Sequence, residues 1–460
     1  MTDTLLGFFL FWGIWLFVPL LIDGSTAISY LIGAWRYERS QRGRRSVYEL
    51  ESFPTIAIVI PVHNGEEYLA HCLESMRRQT YPHEKIHIVV VDNQSTDRTR
   101  EVFEEEMSKP FEGHMDLVSL AFKGKAWALN AGIHMSNTDF VCNVDSDTVL
   151  ADDAIHNLVR AFVHDPKLAA ATGTVEVLPP ADKGMHPFRF AMAQAEFVEY
   201  HVAFRVGRQY QSVTKSLFTL AGAFSCFRRE VLLQTNLYNN LTVSEDTDLT
   251  FNVYEKFPEM HVMTVSEAVA YVKPSPSLAA LYSQRVRWQR GELEVMALHP
   301  EQLGNPLRLR GISTTRSLLI DHTLAFPRIA WTFLLPLMSF LGYPLGLVLS
   351  AMGAMYIAYV FFDALYMLTG YAMADGRSKT RLRGAWWVFA FLPIFRYITF
   401  WFRVGGFLEV FMEPPQWRVQ SPWVQTMDGL VQLRVSAVSL LSHVSSSRVV
   451  SVFVNIFRGG

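Results

Sequence analysis

The sequence predicts an α/β domain flanked by transmembrane helices, and three observations support that fold class. Half of the 460 residues are hydrophobic and 18% are charged, whereas an average soluble domain carries about a quarter charged residues. The hydrophobic excess is concentrated near the two ends of the chain. Between residues 50 and 300, short apolar runs alternate with amphipathic stretches, the pattern of strands and helices in a doubly wound domain.

Composition and charge also exclude several classes of protein. The 41 Lys and Arg residues nearly balance 43 Asp and Glu residues, giving a net charge of −2, so we expect no nucleic-acid partner. The apolar content is too high for a disordered chain. Three cysteines in so long a chain cannot form a disulfide framework, and their spacing does not suit a zinc site. So few cysteines fit a central domain on the reducing, cytosolic side of a membrane.

The first predicted element is a transmembrane helix within residues 1–35. Residues 4–22 carry no charge and would span about 30 Å as a helix, the thickness of a bilayer core. A signal peptide is the alternative, but no basic region precedes the run and no clear cleavage site follows it. Residues 36–46 then carry five Arg and one Glu, which favours a cytosolic location for the next segment.

The central domain, residues 50–300, contains the strand and helix pattern. Residues 56–61 and 86–92 are β-branched apolar runs, typical of buried parallel strands. Residues 65–79 between them have the spacing of an amphipathic helix. Because ligands of such folds bind at the carboxyl edge of the sheet, polar residues that follow the strands are candidate site residues.

Apolar sequence returns in the last third of the chain. Residues 329–362 carry no charge and contain a GYPLG break at 342–346, which indicates two spanning helices joined by a tight turn. The basic loop 374–384 that follows should face the cytosol. Residues 385–402 are interrupted by Arg396, and spanning and re-entrant arrangements both remain open for them.

The remaining segments complete the predicted domain organisation. Interfacial helices are expected at 301–328, transmembrane helices over 329–404 and an amphipathic surface tail over 405–460. The chain is therefore predicted to be an integral protein of a bacterial inner or plasma membrane, with the lipid bilayer as a partner and its central domain in the cytosol.

Polar residues follow the first two predicted strands. His63, Asn64 and Glu66 come after the strand that stops at Pro61, although an ordinary strand–helix turn would look the same. Asp92 emerges from a buried apolar run, where an isolated carboxylate is costly. Hydrogen bonding of Asp92 to a base or ribose is the favoured interpretation.

A lysine and a carboxylate pair follow farther along the chain. Lys125 precedes an amphipathic helix, and its neighbours favour a phosphate contact over a solvated surface charge. Asp145 and Asp147 alternate with Ser146 at the end of an apolar strand, so both carboxylates can face one ion. A hard divalent cation prefers such oxygens and relieves their repulsion. A solvated loop or a helix cap is the alternative.

Three acidic residues mark the start of a later predicted helix. Glu245, Asp246 and Asp248 lie together in this first turn, where the helix dipole alone would favour negative charge. A general base for an acceptor hydroxyl would occupy the same kind of position. Both interpretations fit the pattern.

A helix within residues 282–294 carries the last motif. Gln284, Arg287 and Trp288 share one face of it, at spacings of three and four. Arg supplies a fixed fork for diphosphate oxygens, Gln a neutral donor, and Trp a flat face for a sugar ring. An amphipathic helix on the membrane surface is the alternative, and the two are compatible.

With these motifs in order, the chain resembles family 2 glycosyltransferases of the inverting, Rossmann-like GT-A fold. More narrowly, it is similar to the processive membrane-embedded branch that includes cellulose, hyaluronan and chitin-oligosaccharide synthases. The resemblance covers residues 50–300 closely and the membrane segments in outline. It depends on D-x-D at 145–147, S-E-D at 244–246 and Q-x-x-R-W at 284–288 occurring together.

The resemblance implies four roles, namely donor binding, metal binding, catalysis and acceptor binding. Binding of a UDP-sugar donor would fall to Pro61, Asn64, Glu66, Asp92, Lys125, Asp145, Gln284 and Arg287. Binding of Mg²⁺ or Mn²⁺ would fall to Asp145 and Asp147. The catalytic base would be Asp246, with Glu245 beside it. Acceptor binding would fall to Trp288 and to Gly222 and Ala223 in the segment GAFSCFRRE.

The reaction implied is inverting, metal-dependent transfer of a sugar to the end of a growing polysaccharide, processive and coupled to export. One rival is a non-processive enzyme that adds one sugar to a polyprenyl-phosphate or glycolipid, which Q-x-x-R-W argues against. Another is a catalytically dead scaffold, which would need a broken motif. Two departures from the family are His63, where several relatives have Tyr, and Ser244, where Thr is common. The sugar and the oligomeric state remain open.

Overall fold

The computed structural model describes residues 24–41, 50–178, 185–300 and 325–412. The predicted transmembrane run at 4–22, most of the predicted interfacial segment and most of the predicted tail lie outside the described residues. A first helix, α1 (Ser25–Gln41), precedes the central domain.

Eight strands of the described residues form one sheet in the order β3-β2-β1-β4-β7-β6-β8-β5. Their bounds are β1 (Ile56–Val62), β2 (Ile86–Asp92), β3 (His114–Ser119), β4 (Phe140–Val144), β5 (Val149–Leu150), β6 (Leu168–Val177), β7 (Phe224–Arg228) and β8 (His261–Val272). β1 pairs in parallel with β2 and β4, and β2 pairs in parallel with β3. The carboxyl ends of β1, β2 and β4 therefore lie at one edge of the sheet.

The sheet is mixed. The runs at 56–61 and 86–92 form buried parallel strands as expected, and the sheet also contains an antiparallel strand that was not predicted. β7 runs antiparallel between β4 and β6. Its sequence, FSCFR, has no local sign of direction, because the direction depends on how the chain returns from the helices that precede it. This pairing brings the loop before β7 to the end of β4, where the Asp145 N–H donates to the Ala223 carbonyl at 3.3 Å.

Helices cover both faces of the sheet. They are α2 (Leu69–Arg77), α3 (Thr99–Met107), α4 (Lys125–Met135), α5 (Ala154–His164), α6 (Pro187–His201), α7 (Arg208–Val213), α8 (Arg229–Leu232), α9 (Glu245–Lys256) and α10 (Leu278–Leu298). Alternate residues of β1 enter opposite cores, with Ile58 packed among residues of α2 and α5 and Val59 among residues of α4. This alternation is the period of an extended strand with both faces buried.

Four apolar or basic helices follow the central domain. They are α11 (Ala325–Phe340), α12 (Leu345–Met373), α13 (Gly376–Gly384) and α14 (Val388–Met412). Residues 345–373 and 388–409 are long and apolar enough to cross a membrane, by length and composition. α14 is continuous through Arg396, whose guanidinium pairs with Asp363 of α12. That pairing accounts for a charge within the apolar first half of this helix.

Two contacts attach these helices to the central domain. In the first, α10 packs along α14 at Gly405 and Gly406. A Cβ atom added at Gly406 would lie 2.8 Å from the Val286 carbonyl oxygen, and one at Gly405 would lie 2.9 Å from the Tyr282 hydroxyl oxygen. Gly406 therefore permits an approach of the two helices that a side chain would obstruct, whereas a side chain at position 405 would have to displace the Tyr282 ring.

The second contact is a buried ion cluster around Glu176 of β6. Its carboxylate accepts hydrogen bonds from Arg205 at 3.1 Å and from Ser378 of α13 at 2.9 Å, and Arg205 also binds Asp375 at 2.6 Å. Burial alone would raise the pKa of Glu176, but His201 and Arg205 outweigh it and lower that pKa to about 2. The carboxylate is therefore ionised at neutral pH and ties α13 to the sheet.

Candidate active site

One cavity of about 2010 Å³ opens at the carboxyl edge of the sheet and continues between α12 and α14, past Asp363 and Arg396 to Met352 and Pro393. It brings together residues that the sequence separates by more than two hundred positions. Most of the predicted site residues line it, namely Pro61, Asn64, Lys125, Asp145, Asp147, Gly222, Ala223, Glu245, Asp246, Gln284, Arg287 and Trp288.

Glu66 and Asp92 do not line this cavity. The Glu66 carboxylate accepts a hydrogen bond from the Arg98 N–H at 3.1 Å, and the Asp92 carboxylate accepts one from the Ser95 N–H at 2.9 Å. Both carboxylates therefore shape the loop that follows β2. Their contact with a donor stays a prediction.

Asn64 adopts a left-handed backbone conformation, with φ of 54°, which Asn tolerates better than most residues. Its side-chain oxygen accepts a hydrogen bond from the Thr96 N–H at 2.8 Å, and its own N–H donates to the Ser95 hydroxyl at 3.0 Å. The loop after β1 is thus fixed to the loop after β2, where both approach the cavity.

Lys125, at the start of α4, joins the two acidic motifs. Its ammonium nitrogen lies 2.8 Å from Asp145 Oδ1 and 3.5 Å from Glu245 Oε1. Burial alone would lower the pKa of Lys125, but the two carboxylates outweigh it and raise that pKa. A permanent cation therefore stands between the carboxylate pair and the first turn of α9.

Asp145 and Asp147 both face the cavity from the end of β4. Burial and the nearby charge of Asp145 raise the pKa of Asp147, whereas Lys125 and Lys273 act in the opposite direction. A divalent cation relieves the repulsion between two neighbouring carboxylates. Their oxygen-only donor set fits Mg²⁺ or Mn²⁺.

A second group of possible metal ligands lies elsewhere on the sheet. His87, His114 and Asp116 of β2 and β3 have ligand atoms within 4.8 Å of one another. Asp116 Oδ2 lies 2.9 Å from His87 Nε2 and 3.1 Å from His114 Nε2. Because His87 stands five residues before Asp92 on the same strand, it is about 16 Å from the carboxyl edge, and this group belongs to no part of the cavity.

Asp246 and Glu245 lie in the first turn of α9. The Asp246 carboxylate accepts a hydrogen bond from the Thr247 N–H at 2.8 Å. Burial and the negative charge of Glu245 raise the pKa of Asp246 to about 6, against the opposing effect of Lys125. A carboxyl group that titrates near neutral pH is suited to accept a proton.

The loop before β7 presents backbone rather than a side chain to Asp246. A Cβ atom added at Gly222 would lie 3.2 Å from Asp246 Oδ2 and 3.5 Å from the Lys125 ammonium. Asn143 donates to the Gly222 carbonyl at 2.7 Å and accepts a hydrogen bond from the Tyr238 hydroxyl at 3.2 Å. This loop is therefore held in place while Asp246 remains accessible from the cavity.

Gln284, Arg287 and Trp288 line the cavity from one face of α10. Burial lowers the pKa of Arg287, and the charges of Glu245 and Asp145 oppose that change. Arg287 thus faces the same carboxylates as Lys125. The two cations together form a positive region around Asp145 that is suited to an anionic ligand.

Aromatic rings continue the cavity beyond these charges. Trp288 is 37% exposed, and its ring centroid lies 6.0 Å from that of Tyr200 in α6. The Arg285 guanidinium lies 4.5 Å from the Trp288 ring centroid and pairs with Glu199. Such flat apolar faces with a polar margin suit a sugar ring.

Lys273, Tyr200 and Arg208 are among the cavity residues that were not predicted from sequence. Lys273 follows β8, and its position at a strand end was a usable signal, since the same argument selected Asp92. Tyr200 and Arg208 lie in a long helical stretch that carries no local motif. Only the tertiary structure brings those two residues to the cavity.

Comparisons with known proteins agree with this geometry. Residues 54–291 match the family model described as glycosyltransferase like family 2. The probable glycosyltransferase YdaM of Bacillus subtilis is 26% identical over 254 residues, which are 54% of this chain and 57% of that protein. A poly-beta-1,6-N-acetyl-D-glucosamine synthase of Staphylococcus aureus is 24% identical over 261 residues, 57% of this chain and 59% of that protein. The matches thus span less than two thirds of these relatives.

A solved structure shares the fold. The mannosyltransferase of Pyrobaculum calidifontis, in complex with GDP-Man and Mn²⁺, superposes with a TM-score of 0.57 at 18% identity and covers 80% of this chain and 96% of that one. The central domain therefore has a GT-A-like fold with a mixed sheet.

Proposed function

The chain belongs to the glycosyltransferase like family 2, and from that membership we propose that it transfers a sugar from a UDP-sugar to the end of a growing polysaccharide, with inversion. One observation carries the proposal. A single cavity holds the carboxylate pair, the candidate base and the Q-x-x-R-W helix, and it continues between α12 and α14. The predicted donor-binding residues therefore lie next to a space that could hold a long product.

In the proposed reaction, an acceptor hydroxyl attacks the anomeric carbon of the donor from the face opposite the diphosphate. A new C–O bond forms, the bond from the anomeric carbon to the phosphate oxygen breaks, and its electron pair leaves with UDP. Asp246 takes the hydroxyl proton. Lys125 and Arg287 stabilise the negative charge that develops on the diphosphate. One such displacement gives a β-linkage from an α-linked donor.

Asp145 and Asp147 would hold Mg²⁺ or Mn²⁺ in this scheme. When bound, the ion supplies positive charge that neutralises the diphosphate of the leaving group. The crowding of the two carboxylates and the raised pKa of Asp147 support such an ion. Lys125, 2.8 Å from Asp145, would orient Asp145 and contact the diphosphate.

Processive synthesis coupled to export is the finer part of the proposal. Two helices have the length and composition to cross a membrane, and the cavity reaches Asp363, Tyr366 and Arg396 between them. A polar polymer cannot cross lipid unaided, so a lined path beside the site of synthesis would solve that problem. A non-processive enzyme with a polyprenyl-phosphate or glycolipid acceptor needs no such path and is the second candidate.

The testing experiment uses purified full-length chain and sealed inverted vesicles that contain it. Each is supplied with a panel of radiolabelled UDP-sugars and a divalent ion, and product length and linkage are analysed. We expect one donor to give long β-linked products that resist a glycan hydrolase added outside the vesicles. Products of one added sugar would contradict processivity, and long products wholly open to the hydrolase would contradict export.

The pH dependence of transfer is a further prediction. Because the folded pKa of Asp246 is raised to about 6, its basic form prevails above that pH and is lost below it. We expect kcat to be level above pH 7 and to fall about tenfold per pH unit well below pH 6. Initial rates at saturating donor between pH 4.5 and 8 measure this, with UDP binding at each pH as the control. A level profile down to pH 4.5 would exclude Asp246 as the base.

A further inference from the structure

A π-helical turn lies between α6 and α7, at Val202–Gly207. Such turns are rare and are found frequently at functional sites. Here the turn continues α6 directly into α7, whose first residue is Arg208. Phe204 and Arg208 both line the cavity that contains Asp246. The turn therefore places Arg208 in the cavity, although α7 contains none of the D-x-D, S-E-D and Q-x-x-R-W motifs.

The Arg208 guanidinium is held by a ring and not by a hydrogen-bond acceptor. Its Cζ atom lies 4.2 Å from the centroid of the Phe204 ring, a cation–π contact that fixes its plane. Its Nη1 atom is buried and has no hydrogen-bond partner within the part of the chain that the structure describes. Burying a donor without a partner costs free energy, and a ligand oxygen that hydrogen-bonds to this guanidinium in the cavity would offset part of that cost.

Ring contacts connect Arg208 with Trp288, the predicted acceptor-binding residue. The Phe204 ring beneath Arg208 stacks on Tyr200, with 5.7 Å between the ring centroids, and Tyr200 lies 6.0 Å from Trp288. Burial lowers the pKa of Arg208 to about 10, and the charges of Asp246, Glu292 and Tyr200 oppose that change, so Arg208 stays protonated at neutral pH. Arg208 therefore places a positive charge near Asp246 on the side of the cavity that contains Trp288.

We propose that Arg208 is an acceptor-binding residue, whose guanidinium donates a hydrogen bond to an oxygen of the terminal acceptor sugar and keeps the attacking hydroxyl beside Asp246. The inference rests on the proposed function. Guanidinium has donors only, so its ligand must offer an acceptor oxygen, such as a hydroxyl, ring or carbonyl oxygen. Lys125 and Arg287 already stand at the diphosphate side, which leaves the acceptor as the ligand for Arg208.

The test measures acceptor and donor constants separately in Arg208→Gln and Arg208→Lys, with Arg100→Gln as control, since the Arg100 side chain is 70% exposed on α3. A soluble oligosaccharide of the polymer serves as acceptor. We expect KM for the acceptor to rise at least tenfold in Arg208→Gln and less in Arg208→Lys, while KM for the donor and slow donor hydrolysis change less than twofold. The control should match the unaltered chain.

A second readout separates this role from a merely structural one. Loss of the Arg208 charge should raise the apparent pKa of the pH–kcat profile in Arg208→Gln but not in Arg208→Lys. An unchanged acceptor KM in Arg208→Gln, or equal losses of donor and acceptor binding in both variants, would overturn the inference. If Arg208→Gln fails to fold, Arg208→Lys decides through its binding constants alone: a raised acceptor KM with an unchanged donor KM supports the inference, and an unchanged acceptor KM or equal losses overturn it. Failure of the proposed function is distinct, because then the unaltered chain itself transfers no sugar from any UDP-sugar.

Discussion

Asp246→Asn is expected to lower the transfer rate by about a thousandfold, because a positioned general base contributes roughly 10²–10⁴-fold and Asn cannot accept the proton. The amide matches the carboxylate in size, so the first turn of α9 should keep its shape. UDP binding should change little, since the diphosphate would be contacted by Lys125 and Arg287. Single-turnover transfer measures the loss, and titration with UDP measures the retained binding.

The matched control for this substitution is Asp153→Asn. Asp153 is exposed at the start of α5, where its side chain makes no capping hydrogen bond, so the same chemical change should leave transfer within twofold. More than a tenth of the original rate in Asp246→Asn would rule out Asp246 as the base. Loss of both transfer and UDP binding would instead indicate a structural role for that carboxylate.

Gly291→Ala is expected to damage both stability and transfer. Gly291 of α10 packs against the S-E-D motif, and a Cβ atom there would lie 2.5 Å from the Ser244 Cβ and 3.0 Å from the Ser244 backbone nitrogen. Overpacking of this kind costs about 1–3 kcal/mol. Since Ser244 directly precedes Glu245 and Asp246, its displacement moves the base, and a shift of about 1 Å can cost roughly 10²-fold in rate.

Gly353→Ala is the control for the glycine substitution. Gly353 lies within α12, and a Cβ atom added there meets nothing within 4 Å, so stability and transfer should be unchanged or slightly improved. Thermal unfolding and initial transfer rates are compared for both variants. Equal thermal stability and equal transfer rates in Gly291→Ala and Gly353→Ala would contradict this prediction. That result would show that α10 and the S-E-D motif separate with no loss of stability or activity.

Local patterns in the sequence were sufficient for two neighbouring parallel strands, β1 and β2. The β-branched runs at 56–61 and 86–92 are buried on both faces. Their continuous Ile and Val content predicts such burial. The position of β7 was not predictable, because its five residues carry no sign of which strands they join. The direction of β7 follows from the path of α6 and α7, which is a property of the whole fold.

The candidate site shows the same division. Asp145, Asp147 and Asp246 could be selected because each lies at the end of a strand or the start of a helix. Ligands of α/β folds bind at that edge of the sheet, so position along the chain was enough to identify them. Arg208 could not be selected in this way, since its position depends on a π-helical turn that alters the register of one helix. Glu66 and Asp92 satisfy the same criterion, yet their carboxylates are occupied within loops, because neighbouring N–H groups compete for them.

The two glycines of α14 bear on how such a protein can evolve. One side of α10 presents Gln284 and Arg287 to the cavity, and another side packs against Gly406 of α14. The same helix therefore contacts both the candidate site and the C-terminal helices. A side chain at position 406 would meet the Val286 carbonyl of α10. The displacement of α10 would then shift Arg287. Packing of α14 is consequently coupled to the candidate site, and sequence variation in α14 is constrained at Gly406, where the neighbouring atom belongs to the backbone of α10.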